Sequence, residues 1–122
     1  MLNLKPEILK LLKQLDVKTN YYYPQNFNQL PIVTYYELEN RTLLTSADGE
    51  ELLSEITYSI DVWSKESTSE ISIQIDKLMR SIGFRRTSSN DLFEPDTKIN
   101  HKVLRYSGQV TKDLQVHTNN NY

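Results

Sequence analysis

The sequence predicts an α+β domain: an antiparallel sheet with a long β-hairpin, and two helices packed on one face. Three observations predict it. From Glu55 onward the residues alternate, with Ile56, Tyr58, Ile60 and Val62 on one side and Glu55, Thr57, Ser59 and Asp61 on the other. A period of two marks a strand with one buried and one wet face. The period then changes: Ile71, Ile75, Leu78, Met79 and Ile82 form one stripe of an α-helix. Finally, Asp48-Gly49 lies between two extended arms, 32–45 and 51–64, and is a strong hairpin signal.

Each element has its own justification. Residues 5–16, KPEILKLLKQLD, read as the first helix, with Pro6 suited to the first helical position. Ile8, Leu9, Leu11, Leu12 and Leu15 make its apolar face. Tyr21-Tyr22-Tyr23-Pro24 reads as a short extended piece running into a loop; partial burial against that helix is favoured over a contact patch for the three tyrosines. Residues 31–39, PIVTYYELE, are β-branched and aromatic, the composition of a strand. The tip from Ser46 to Glu51 is polar and should project. Ser67 with Glu70 fits a capping box for the second helix. Gly83 suits its left-handed C-cap, with Phe84 folding back on the last turn. Leu92-Phe93 reads as a short strand ended by Pro95, and 101–108, HKVLRYSG, as another. We expect one domain over residues 1–112 and a flexible tail over 113–122.

Composition narrows the function. The 122 residues carry a net charge of −2, which gives no global pull toward nucleic acid or anionic membrane. There is no cysteine, which removes disulfides and thiol catalysis. Residues 1–15 hold Lys5, Glu7, Lys10 and Lys13 and no unbroken apolar run, which argues against a signal peptide and a membrane span. Eight tyrosines against three Phe and one Trp suit contact surfaces.

No catalytic residues, cofactor or metal are expected. There is no nucleophile elbow and no dinucleotide fingerprint, and three glycines in the whole chain argue against a phosphate cradle. His101 and His117 stand far apart with no carboxylate cluster beside them. His101 reads as a strand-start residue. Asp48, Glu50 and Glu51 read as solvated carboxylates. Arg80, Arg85 and Arg86 with Lys98 and Lys102 form the densest basic group, read as solvated charge at a helix end.

The order of elements carries a resemblance. A Pro-led strand, LPIVTYYEL, is followed by a polar tip and then a strand ending in Asp61-Val62-Trp63-Ser64. An amphipathic helix closing in Gly83-Phe84 follows, and then a strand of the form HKVLRY, His101 to Tyr106. In this order the chain, over roughly residues 1–111, resembles the tail completion proteins of tailed bacteriophages and prophages, the tail terminator or tail-to-head joining proteins. The resemblance implies a non-enzymatic virion protein. It implies a hexameric ring that caps the tail tube and meets the head-tail connector, in a virion tail assembled in the bacterial host cytoplasm. Its partners would be its own copies, the tail tube protein and the connector; no membrane is expected, and the net charge argues against nucleic acid. Asp48, Gly49, Glu50, Tyr35, Trp63, Arg85 and Arg86 are the candidate interface residues, Tyr35 and Trp63 as large outward groups. Two rivals stand beside this reading: a small nucleic-acid-binding or regulatory protein using Arg80, Arg85 and Arg86, and an enzyme with a site of scattered polar residues around His101.

Overall fold

The structure, a computed structural model, describes residues 1–117. Among them the chain runs α1 (Lys5–Leu12), β1 (Lys18–Tyr21), β2 (Ile32–Thr45), β3 (Glu51–Ser64), α2 (Ser69–Ser81), β4 (Arg85–Glu94), β5 (Ile99–Thr111) and β6 (Val116–His117). The fold is α+β. Strands follow the order β1-β2-β3-β5-β4 in one mixed sheet, and β6 pairs with β5. All pairs are antiparallel except β1 with β2.

The long hairpin has the expected bounds. Its register places Val33 opposite Val62 and Tyr35 opposite Ile60, so the apolar sets of both strands share one face. That face carries the core. Ile56, Tyr58, Ile60 and Val62 pack with Ile8, Leu11, Leu12 and Leu15 from the α1 segment, and with Ile75 and Met79 from α2. Ile60 and Ile75 are both fully buried. Each helix has one apolar side and the sheet supplies the surface that covers it.

The ends of α2 differ in how closely they follow expectation. At its start Thr68 is the cap residue and makes no side-chain cap bond, so the Ser67–Glu70 box does not form. Ser67 Oγ instead accepts from the N–H of Ser69 at 3.2 Å, a local turn that competes with capping. At its end Gly83 has φ +106°. Its N–H donates to the Arg80 carbonyl at 3.0 Å, and Phe84 N–H donates to the Met79 carbonyl at 3.1 Å. These are the two bonds of a Schellman motif, with Phe84 turned into the core.

Several expectations need correcting. The first helix ends at Leu12, and Leu15 reaches the core from the turns that follow. β4 spans Arg85–Glu94 rather than a short piece at Leu92-Phe93. The expected tail from Asp113 contains β6, whose Val116 pairs with Val110 and His117 with Gln109. Residues 118–122 of that tail lie outside the described residues. The face of β3 expected to be wet is buried at its far end: Ser59 and Asp61 are shielded, and a second cluster of Ile32, Trp63 and Ile99 sits there under Phe27 and Leu30.

Candidate functional site

Tyr35 and Trp63 are not outward contact groups. Tyr35 points into the helix-side core, and burial raises its hydroxyl pKa. Trp63 is buried on the opposite face, where the loop after β1 folds over it: Tyr23 and Phe27 meet its ring edge-on at 5.3 and 5.7 Å between centroids. A single chain already covers both residues, which answers the reason for expecting them at an interface.

Beneath Trp63 lies a polar network that the sequence reading missed. The His101 ring stacks on Trp63 at 3.6 Å between centroids. His101 Nε2 lies 2.7 Å from Asp61 Oδ2, and Ser59 Oγ donates to Asp61 Oδ1 at 2.8 Å. Trp63 Nε1 donates to Thr34 Oγ1 at 2.9 Å. These residues come from adjacent strands, since Trp63 pairs with His101 on one side and Ile32 on the other. His101 is therefore inside β5 and is held on two sides. A serine, an aspartate and a histidine are present, yet their order is wrong for nucleophile activation. The serine bonds the aspartate, whereas a nucleophile must bond the base. The network orients groups and satisfies buried polar atoms. Its signal was in the sequence: Ser59, Asp61 and Trp63 alternate on one side of β3, an unusual set for a purely wet face.

Asp76 of α2 is a second hub. Its carboxylate takes Arg80 Nε at 2.9 Å, Arg86 Nη1 at 3.1 Å and the Tyr106 hydroxyl at 2.9 Å. Tyr106 is held well above the usual phenol range, first by burial and then by donating to this carboxylate. The basic group at the end of α2 is thus partly neutralised from within. Arg85, on the other face of β4, stays exposed.

The hairpin tip is exposed and ordered by its own bonds. Gly49 has φ +86°, Gly49 N–H donates to the Ser46 carbonyl at 3.0 Å, and Ser46 N–H donates to Glu50 O at 2.8 Å. Ser46 Oγ also bonds Asp48, which lowers the Asp48 pKa. Lys112 Nζ reaches Glu50 at 3.1 Å, and the Met1 ammonium reaches Glu51 at 3.1 Å. Hydrogen bonds from Ser54, the N-terminus and Thr42 hold Glu51 down at about 2. Asp48, Gly49 and Glu50 are therefore together at the tip, while Arg85 and Arg86 lie on β4 at the opposite edge of the sheet.

A cleft of about 500 Å3 opens between the loop before β2 and the start of α2, lined by Phe27, Leu30, Lys65, Glu66 and Glu70. It holds two carboxylates and no histidine. Among the described residues no three His, Asp or Glu side chains converge as metal ligands, and no helix is long and apolar enough to cross a membrane. No family model matches the chain, and no curated protein matches it.

Proposed function

We propose that this chain is a virion protein of a tailed bacteriophage or prophage. As a tail terminator it closes into a ring on the end of the tail tube and offers a docking surface to the head-tail connector. The resemblance around Asp61-Val62-Trp63-Ser64 and Gly83-Phe84 supplies the class. The observation that carries it further is the outer part of the long hairpin. From Arg41 to Thr45 every residue of β2 is exposed, and Leu38, Leu43 and Leu44 stand in solvent there. Apolar groups grouped on an extended arm suit contact with another protein. On this reading the interfaces are the active part and no chemistry is performed. A ring of head-to-tail contacts needs two different patches per subunit, and the arm is one of them. The nucleic-acid reading is weakened because Asp76 engages both Arg80 and Arg86.

The test is a knockout of the gene in its parent phage or prophage. Heads and tails that fail to join, with tails of abnormal length or unfinished ends, are the expected result. Normal infectious particles from the knockout would sink the proposal.

A further inference from the structure

β4 is an edge strand: it pairs with β5 on one side, and no strand among the described residues pairs with its other side. An open edge presents unpaired N–H and C=O groups, which proteins usually guard with Pro, Lys or bulges. The ten residues RRTSSNDLFE contain neither Pro nor Lys. They also expose Leu92 and Phe93, at 51% and 57%. Its guards are a bulge between Arg86 and Ser88 and four charged residues, Arg85, Arg86, Asp91 and Glu94, of both signs.

The residues along this edge complement their own reverse order. The register with β5 places Arg86, Ser89, Asp91 and Phe93 on the helix side, and Arg85, Ser88, Asn90, Leu92 and Glu94 on the other. Two copies of β4 laid antiparallel with Asn90 on the two-fold axis then match face for face. Ser89 meets Asp91 and Ser88 meets Leu92. Thr87 is taken up by the existing bulge, as it is against β5. Beyond it the aliphatic stem of Arg86, whose head is held by Asp76, meets the Phe93 ring. At each end Arg85 meets Glu94. Opposite charges directly across a strand pair attract, and the two-fold axis provides each contact twice.

We propose that β4 is a self-pairing edge, through which two copies of this chain join their sheets as a weak two-fold dimer. Of the other open edges among the described residues, β1 is only four residues long, and the outer part of β2 is a poorer match for β4. It is irregular at three places between Glu37 and Thr45. The proposal does not rest on the ring reading: the contact is two-fold, and the ring needs a head-to-tail one. A single strand pair with a few flanking side chains makes a small interface, so the dimer is transient and depends on concentration.

The natural absence of cysteine makes the test direct. Asn90→Cys places one thiol on the proposed axis, and Glu66→Cys places one on an exposed loop as a control. Under mild oxidation Asn90→Cys should form disulfide dimers at least about tenfold faster than the control, because pairing raises the effective thiol concentration. In the thiol-free chain, Arg85→Glu and Glu94→Arg should each weaken association in sedimentation equilibrium. The expected loss is about five- to tenfold, since two exposed ion pairs are removed per dimer. The double variant should restore association. Dimerisation of Asn90→Cys no faster than the control would overturn the proposal, and so would charge swaps without effect or without mutual rescue. Preferential heterodimers between Asn90→Cys and Thr42→Cys, on the β2 edge, would overturn it in favour of head-to-tail pairing.

Discussion

Two of the three glycines in the chain stand against Val116, and the consequence can be measured. A Cβ added at Gly108 would lie 2.6 Å from Val116 Cγ1 and 3.0 Å from Phe84 Cδ1. Phe84 is buried and cannot retreat, so Val116 must give way. Gly108→Ala should therefore destabilise the protein by about 1–3 kcal/mol, the usual range for overpacking. Val116→Ala alone removes part-buried methyl groups and should lose about 1 kcal/mol. Together the two changes should lose less than their sum by about 1 kcal/mol, because the truncated Val116 no longer meets the new methyl. Gly83 gives an internal control. Its added Cβ would lie 2.4 Å from the Val116 carbonyl oxygen, a backbone atom, on a residue at φ +106°. Shortening the Val116 side chain should not relieve Gly83→Ala. Urea unfolding with an unchanged slope measures all the variants. Additivity of Gly108→Ala and Val116→Ala within about 0.5 kcal/mol would show that β6 is not seated on these glycines.

Other perturbations test other parts. Ile60→Ala and Ile75→Ala should each lose about 2–5 kcal/mol in the same assay; a loss well below that range at either site would mean that the sheet–helix contact is not the packing centre. Asp61→Ala leaves His101 Nε2 and Ser59 Oγ without their shared acceptor, and should lose about 1–3 kcal/mol for each unsatisfied donor and shift Trp63 fluorescence. Unchanged emission and stability would remove the network from the account. Glu51 is held down at about 2 from 4.5, so its contribution is present above the unfolded pKa and is lost as pH falls from about 4.5 toward 2. Glu51→Gln should flatten the acid limb of the stability curve in that window, and an unaltered limb would contradict the assignment.

The parts legible in the sequence were those whose side chains see two different environments. β3 alternates because one face meets the helices, and α2 carries a stripe because one side meets the sheet. Asp48-Gly49 marked the turn because a left-handed residue is required there. β4 was illegible for the converse reason. Almost every residue is exposed on both faces, so no alternation could mark it as a strand. Its place is set by pairing with β5, which is not a local property. β1 is similar: four residues held by a parallel partner more than ten positions away, with Thr19 and Asn20 as unremarkable as any loop. The failures at Tyr35 and Trp63 have different origins. Tyr35 lies with Val33 on the helix side, and β2 was assigned the wrong face because both of its faces carry apolar residues. At Trp63, period two divides β3 into two faces, and the assumption that only one was covered misassigned the second. The loop from Tyr22 to Pro31 covers that face at one end only, and no periodicity reports where a loop folds back.

That one-ended covering shapes the mechanics of the hairpin. The last seven residues of β3, Tyr58 to Ser64, are all buried, and their partner strand β2 begins with four buried residues, Ile32 to Tyr35. Toward the turn β2 loses all cover, and the ladder is broken by irregularities. The hairpin is thus supported along β3, which stays paired with β5 as far as Leu53, and uncovered along the outer half of β2. The yielding part is that flank and not the hairpin as a whole. A partner laid along it can shift the outer residues of β2 while β3 and the network at Asp61 and His101 keep their register.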